Sequence, residues 1–275
     1  MLKRILAAGV GVWMGAVNMP GARAADSALD TVVDRGVLRC GVVLDSPPSG
    51  YRNARNEPDG FDVAYCRDMA QVMGVRADII ETPASNRIPA LVARRIDVLI
   101  ASTTGTPQRG LTIAFSRPYM SYATIIITRR GSGISSFADL ADKRLGGVAG
   151  TTNEALLKKE MAGSWAGRGA TYTAYGGDNE AFMALEEGKV DAILQAVGVF
   201  KTLQDSGMFP DFVNSGSVPL NDLVSIGVRR DDVQFLNWVN QFIWSQNASG
   251  RFAQLYRTYF GNGPLPDLST DTVAP

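Results

Sequence analysis

Short runs of β-branched and aliphatic residues alternate along the chain with longer amphipathic runs, starting near Leu38. A short apolar run is typical of a buried strand, and an apolar stripe with a period of three to four residues is typical of a helix. A strand–helix–strand rhythm predicts a mostly parallel sheet covered by helices, the α/β class. The rhythm occurs twice and predicts two α/β lobes, with strands at VLRCGVVL, ADIIET and IDVLIAST in one and at YATIIITRR, LGGVAG, TYTAYG and VDAILQAV in the other.

An internal echo supports two related lobes. Residues 90–102 read ALVARRIDVLIAS and residues 184–196 read ALEEGKVDAILQA, which aligns Asp97 with Asp191 at an offset of 94 residues. Chance similarity between two α/β units is the alternative. Because ligands of open α/β sheets bind beyond the carboxyl ends of the strands, two lobes that face each other there would form a ligand cleft.

The first 24 residues have the pattern of an export signal. Lys3 and Arg4 precede an apolar run from Ile5 to Val17, and the small residues Ala22 and Ala24 mark a cleavage site, so we expect cleavage near Ala24. A signal anchor is the alternative, but 13 apolar residues are short of the roughly 20 needed to cross a bilayer. We expect an exported, soluble mature protein.

Composition excludes several classes of function. The chain has no histidine, which rules out a Ser-His-Asp triad, a Cys-His dyad and a His-ligated metal, and we expect neither a metal nor a cofactor. Its 27 basic and 27 acidic residues become 24 and 27 when residues 1–24 are removed, a net charge of −3. With no long basic run, we expect no nucleic-acid partner.

The two cysteines lie in neighbouring predicted elements. Cys40 falls in the first strand and Cys66 in the helix that follows it. An exported pair of this kind is either a disulfide or two small buried hydrophobic side chains, and the sequence leaves both open.

Arg109 is the most informative charged residue, because it follows the strand IDVLIAS and a run of hydroxyls, Ser102, Thr103, Thr104 and Thr106. A guanidinium beside hydroxyls and free backbone N–H groups is suited to binding a carboxylate. A capping loop with a solvated arginine is the alternative.

A second candidate anion site lies in the other lobe. Gly150 allows a tight turn, and Thr151 and Thr152 supply hydroxyls. A helix is predicted to begin near Asn153, and its N-terminal N–H groups and positive dipole end would point toward a ligand placed before this turn. An ordinary helix cap is the alternative.

The order of these parts resembles the extracytoplasmic solute-binding proteins of polar amino-acid ABC importers, solute-binding family 3. The stretches that carry the resemblance follow the family order and span most of the mature chain: LRCG (38–41), GFDV (60–63), IPALVARRIDVL (88–99), TPQR (106–109), FSRPY (115–119), LADKRLGGVAGTT (140–152) and GKVDA (188–192).

The resemblance implies a monomeric periplasmic protein of the two-lobed type II binding fold, with lobe 1 at residues 30–121 plus 225–275 and lobe 2 at residues 122–224. Hinge closure would bury a small carboxylate-bearing ligand and present a shape to an inner-membrane ABC permease. The family position matching Arg109 holds the ligand α-carboxylate, helped by positions matching Ser102, Thr104, Thr151 and Thr152. Some members also have a similarly placed cysteine pair.

Two departures affect the expected ligand. The family usually has an aspartate for the ligand ammonium where this chain has Ala196. It also commonly has an aromatic ring where the loop DSPPSGY has Ser46 and Ser49, which leaves Tyr51 as the nearest ring. An unpaired buried ammonium costs several kcal/mol. Either Asp222 or Asp45 therefore replaces the acceptor, or the ligand lacks an α-ammonium group.

Three further expectations follow. Arg87 could meet a second acid group of the ligand, but the sequence favours a surface arginine. An enzyme resembling cyclohexadienyl dehydratases is a competing hypothesis, with Glu154 or Glu180 as the available general acid. A periplasmic sensor or accessory protein that presents its ligand-bound shape to another partner is the third class.

Overall fold

The computed structural model describes residues 27–268, so the predicted export signal lies outside the described residues. The helices are α1 (Ala28–Arg35), α2 (Phe61–Met73), α3 (Arg87–Val92), α4 (Pro107–Gly110), α5 (Thr152–Ala162), α6 (Asp178–Glu186), α7 (Val197–Ser206), α8 (Val233–Ala248) and α9 (Arg251–Phe260), with a 3₁₀ helix at Phe137–Asp142. The strands are β1 (Val37–Val42), β2 (Asp45–Ser46), β3 (Gly50–Arg52), β4 (Pro58–Asp59), β5 (Arg76–Glu81), β6 (Val98–Leu99), β7 (Ile113–Arg129), β8 (Arg144–Val148), β9 (Thr171–Tyr175), β10 (Ala192–Ala196) and β11 (Phe212–Arg229).

Eight strands form one sheet in the order β5-β1-β6-β11-β7-β10-β8-β9. Strands β5, β1 and β6 are parallel at one end, and β10, β8 and β9 are parallel at the other. The long strands β7 and β11 are antiparallel to each other and join the two ends. We call β1–β6 with α1–α4, α8 and α9 the first lobe, and β8–β10 with α5–α7 the second lobe. The α/β class and the two-lobed arrangement are confirmed.

Each lobe has its own apolar core. In the first lobe, α2, α8 and α9 cover the sheet with packed aromatic rings that include Phe61, Tyr65 and Phe242. In the second lobe, β7 sends Ile125 and Ile127 to one face and Ile126 to the other, as the two-residue period of a strand requires. The long strands are therefore shared between two separately packed units.

The cysteine pair is joined across the first lobe. Cys40 on β1 and Cys66 on α2 form a disulfide, their Cα atoms are 6.3 Å apart, and both side chains are fully buried. Of the two alternatives that the sequence leaves open, the structure has the disulfide. It ties the first strand to the helix that covers it.

The internal echo corresponds to a repeated contact. In the first lobe, Asp97 precedes β6 and accepts hydrogen bonds from the backbone N–H and guanidinium of Arg39 on β1. In the second lobe, Asp191 precedes β10 and accepts the same two kinds of hydrogen bond from Arg144 on β8. Each aspartate thus ties the start of its strand to the parallel neighbouring strand.

Candidate functional site

A cavity of about 110 Å³ lies between the two lobes. This is room for a small molecule and not for a polymer. Its walls come from both lobes and from the long strands: Asp45, Ser46, Ser49, Arg87 and Ser102 from the first lobe, Thr151, Thr152, Asn153, Asp178, Gln195 and Ala196 from the second, and Tyr122, Thr124 and Asp222 from β7 and β11. The cavity is where the strand-end argument predicts a cleft.

Among residues 27–268, Arg87 is the cationic side chain that lines the cavity. It is the first residue of α3 and only 5% exposed, so the sequence-based preference for a surface arginine is wrong. Its Nη1 donates to the Ala101 carbonyl at 3.0 Å and its Nη2 to the Gly150 carbonyl of the second lobe at 3.2 Å. Its Nε is buried and has no hydrogen-bond partner. Burial and the neighbouring Arg109 lower the pKa of Arg87 to about 9.

Arg109 lies beside the cavity and does not line it. It is held by the short helix α4, where the Thr106 hydroxyl caps its backbone N–H at 3.2 Å. Its Nη1 donates to the Thr104 carbonyl and its Nη2 to the Gly150 carbonyl, each at 2.8 Å. Burial lowers the pKa of Arg109, and the nearby Asp222 opposes that shift. The two arginines of the first lobe thus share one carbonyl of the second.

Gly150 can accept both arginines because its backbone is left-handed and close to the opposite lobe. Its φ is +79°, and a Cβ at this position would lie 2.9 Å from the Cα of Ser85. A side chain is excluded on both grounds. Glycine at this turn is therefore needed for the close approach of the two lobes.

The predicted hydroxyl pair Thr104 and Thr152 is brought together, and it binds a carboxylate of the protein itself. Thr104 Oγ1 donates to Asp222 Oδ1 at 2.7 Å, and Thr152 Oγ1 lies 2.9 and 3.1 Å from the two oxygens of Asp222. Thr104 belongs to the first lobe, Thr152 to the second, and Asp222 to β11. One side chain thus bridges both lobes.

The Gly-Thr-Thr turn is both a helix cap and part of the cavity wall. Thr151 is the N-cap of α5: its hydroxyl accepts from the Glu154 N–H at 3.2 Å and donates to the Val148 carbonyl at 2.8 Å. The helix begins at Thr152, one residue earlier than predicted. The residues of its first turn, Thr152 and Asn153, line the cavity. The positive end of the helix dipole therefore lies at the ligand side.

The acidic part of the cavity is formed by Asp45 and Asp178, one from each lobe. Asp45 Oδ2 accepts the Asp178 backbone N–H at 2.9 Å, and Gln195 Nε2 donates to Asp178 Oδ1 at 2.9 Å. Burial raises the pKa of Asp45, and it raises the pKa of Asp178 to about 6. Asp45 was one of the predicted substitutes for the missing acceptor. Asp178 was missed, although it begins a helix just beyond the end of β9, the kind of position that singled out Thr151.

Three predictions for the remaining wall residues have different outcomes. Ser46, Ser49 and Ala196 line the cavity. Tyr51 does not line it: this residue lies on β3, and its hydroxyl is directed to Asp59 on β4 at 3.4 Å. The ring at the cavity is Tyr122 of β7, whose hydroxyl is 2.8 Å from the Ser49 hydroxyl.

Ser102 joins the cavity to a buried acid beneath it. Its hydroxyl donates to Asp62 Oδ2 at 2.9 Å, and the Tyr119 hydroxyl donates to Asp62 Oδ1 at 2.8 Å. Ser102 has a left-handed backbone, with φ of 45°. Burial raises the pKa of Asp62 to about 6, although both hydrogen bonds oppose the shift. Ser102 is thus already engaged as a donor on the side away from the cavity.

The two glutamates of the enzyme hypothesis do not line the cavity. Glu154 accepts from the Gly150 N–H at 2.6 Å and pairs with Lys158 at 2.7 Å, and Glu180 accepts from the Gly176 N–H at 2.9 Å. Within residues 27–268, no cluster of three or more Cys, Asp or Glu side chains is arranged to hold a metal. No helix in the same range is long and apolar enough to cross a membrane.

Known proteins share both the sequence pattern and the fold. The lysine/arginine/ornithine-binding periplasmic protein of Escherichia coli K12 is 26% identical over 230 residues, which cover 81% of this chain and 87% of that protein. A mutant of ArgBP from T. maritima has a TM-score of 0.78 and 27% identity, covering 86% of this chain and 100% of that one.

A further structure relates to the enzyme alternative. The ancestral amino-acid-binding protein AncCDT-1, described as a precursor of cyclohexadienyl dehydratase, has a TM-score of 0.76 and 26% identity, covering 85% of this chain and 100% of that one. The model of the bacterial extracellular solute-binding proteins, family 3, matches residues 38–262. Most of the chain is thus matched, and the protein belongs to the bacterial extracellular solute-binding proteins, family 3.

Proposed function

We propose that this protein is the periplasmic binding component of an ABC importer and that its cleft closes on a small amino acid. The observation that carries the proposal is the pairing of charges across the cavity. Arg87, with a buried Nε that has no partner, lines it from the first lobe, and Asp178 lines it from the second. The zwitterion of an amino acid has a carboxylate that can pair with Arg87 and an ammonium group that can pair with Asp178.

The balance of charge favours a ligand with an ammonium group. Three aspartates line the cavity, Asp45, Asp178 and Asp222, whereas the nearby cations are Arg87 and Arg109. A ligand with a carboxylate and no ammonium would add a further negative charge to this low-dielectric site. Of the two options that Ala196 leaves open, the acids therefore support a replacement acceptor over a plain organic acid.

The roles of the wall residues follow from this balance. The ligand carboxylate binds at the cationic end, where Arg87 and the N-terminus of α5 line the cavity and Arg109 lies beside it. The ammonium binds Asp178 or Asp45, which together replace the acceptor that is absent at position 196. Both ends draw on both lobes, so the closed form binds the ligand better than an open form.

The expected lobe boundaries, export, monomeric state and permease partner are also part of this proposal. The lobe boundaries at 121/122 and 224/225 fall within the long strands β7 and β11, and the second coincides with one of the register irregularities in their pairing, between Val224 and Ser225. The protein is exported after cleavage near Ala24, acts as a monomer and presents its closed form to a permease. The curated relative named above is periplasmic, which supports this location.

Calorimetric titration tests the proposal. The purified protein is titrated with the standard L-amino acids and, for each that binds, with the matching acid in which hydrogen replaces the amino group. We expect at least one amino acid to bind and its deaminated partner to bind about 100-fold or more weakly, since a buried acid is left unpaired. Equal affinity for the two, or no amino acid binding, would contradict the proposal.

We also propose that the protein is not an enzyme. The site that we propose needs no proton transfer, and Glu154 and Glu180 are engaged outside the cavity. We expect the absorbance of prephenate to stay constant when the protein is added. A fall above the spontaneous rate would support the dehydratase alternative.

A further inference from the structure

The hydroxyls that the family resemblance assigns to the ligand carboxylate are already occupied. Thr104 and Thr152 both direct their protons at Asp222, at 2.7 and 2.9 Å. A threonine hydroxyl has a single proton to donate. Neither residue can therefore donate a hydrogen bond to a ligand carboxylate while it is bonded to Asp222.

The guanidinium of Arg109 is also already hydrogen-bonded within the protein. Two of its terminal N–H groups donate to the carbonyls of Thr104 and Gly150. Asp222 is also the charge that opposes the loss of basicity at Arg109. The charge of Arg109 is thus balanced by a carboxylate within the protein, and a second carboxylate at the same place would meet a like charge.

Arg87 differs from Arg109 in two respects, although Asp222 also opposes the fall in the pKa of Arg87. Its Nε is buried without a partner, and Arg87 lines the cavity that Arg109 does not reach. An unpaired buried donor costs about 1–3 kcal/mol until an acceptor arrives. Of these two arginines, Arg87 is therefore the one that lines the cavity and has a buried unpaired donor.

We infer that Asp222 is a specificity-determining residue: its carboxylate fills the seat made by the Thr104 and Thr152 hydroxyls beside Arg109, and so directs the ligand carboxylate to Arg87. The inference rests on the proposed function only for the nature of the ligand. The seat itself is a property of the protein and can be tested with a simple carboxylate.

The test removes the internal carboxylate and supplies one from solution. Asp222→Ala leaves a hole lined by the Thr104 and Thr152 hydroxyls, with the Arg109 guanidinium nearby, which acetate can fill. The melting temperature is measured in 100 mM sodium acetate and in 100 mM sodium chloride at the same pH. For an acetate Kd of about 10 mM, we expect acetate to raise the melting temperature of the variant by about 3–6 °C. We expect the wild type to show no such difference.

Three variants serve as controls. Asp45→Ala also removes a cavity carboxylate, but from a place without the two threonines, and should not respond to acetate. Asp222→Ala combined with Thr104→Val should lose most of the response. If Asp222→Ala does not fold, Asp222→Ser with formate repeats the test with a smaller hole and a smaller probe.

The outcomes separate this inference from the proposed function. A response confined to the Asp222 variants supports the seat even if no amino acid binds the wild type. A folded Asp222→Ala or Asp222→Ser variant without any response, or an equal response in the wild type or Asp45→Ala, would overturn the inference and leave the amino-acid proposal standing.

Discussion

The two lobes use the same strand-start contact in different surroundings. In the first lobe, the Asp97 side chain is 4% exposed and also pairs with Arg35, in addition to Arg39. In the second lobe, the Asp191 side chain is 26% exposed and its partner Arg144 is 55% exposed. The contact is repeated, but water reaches one copy much more than the other. The same residue pair should therefore contribute differently to stability in the two lobes.

A second difference is covalent. The disulfide of the first lobe links β1 to α2, whereas the second lobe has no cysteine. The first lobe is thus held by a cross-link, a buried ion pair and an aromatic core. The second lobe depends on its two apolar clusters, which combine aliphatic and aromatic side chains. We expect the first lobe to be the more stable unit, and the changes below test that difference, beginning with the largest effect.

Removal of the disulfide should have the largest effect. The bridge closes a loop with a sequence separation of 26 residues, for which the chain-entropy model gives about 3–4 kcal/mol. We expect Cys40→Ala/Cys66→Ala to lower the free energy of unfolding by about that amount, measured by urea denaturation. The wild type in a reducing agent should lose a similar amount and the double variant nothing further. An unchanged urea midpoint would contradict the cross-linked first lobe.

Asp97→Ala should follow, with a loss of about 2–3 kcal/mol. The substitution leaves the Arg39 N–H and two partly buried guanidinium groups without their shared acceptor. Urea denaturation measures the loss, and Asp97→Asn, which keeps an acceptor for the N–H, should recover part of it. A loss no larger than that of Asp191→Ala would remove the distinction between the lobes.

The buried acids of the two lobes should respond differently to pH. Both Asp62 and Asp178 have pKa values raised to about 6, but only Asp178 lines the cavity. Below pH 6, Asp178 gains a proton and loses the charge that attracts an ammonium. Affinity for the bound amino acid should therefore fall about tenfold from pH 7 to pH 5, by calorimetry with a ligand that does not titrate in this range. Asp178→Asn should bind weakly at both pH values, whereas a constant affinity in the wild type would exclude Asp178 as the acceptor.

Asp191→Ala should have the smallest effect, about 1 kcal/mol or less, because solvent-exposed pairs contribute little. The exposed pair Lys201–Asp205 on α7 offers a matched control, and Asp205→Ala should be close to neutral. Urea denaturation of both variants checks this. A loss above about 2 kcal/mol for Asp191→Ala would mean that the repeated contact, and not its burial, sets the energy.

The local pattern of apolar and polar residues was enough to predict the features that are set by residues close together in the sequence. The two α/β units, the Thr151 cap and the position of the cleft follow from strand ends and helix starts. The echo of Asp97 and Asp191 was also visible, because each precedes a buried strand. The length of β7 was underestimated, since the predicted strand begins at Tyr122 and the observed one at Ile113.

Features that depend on the approach of the two lobes were not predictable from one sequence. Arg87 looks like an ordinary helix arginine until the Gly150 turn of the other lobe covers it. Asp222 was named, with Asp45, as a replacement for the ammonium acceptor, but its contact with Thr104 and Thr152 joins residues 118 and 70 positions away. Burial of charge across an interface is set by tertiary structure, which a local pattern does not contain.

A crystal structure of the protein with its tightest-binding amino acid would test the central claim most directly. We predict that the ligand carboxylate contacts Arg87 and that the ammonium contacts Asp178 or Asp45, with Asp222 still bonded to Thr104 and Thr152. A ligand carboxylate on Arg109, Thr104 and Thr152, with Asp222 displaced from them, would contradict this account.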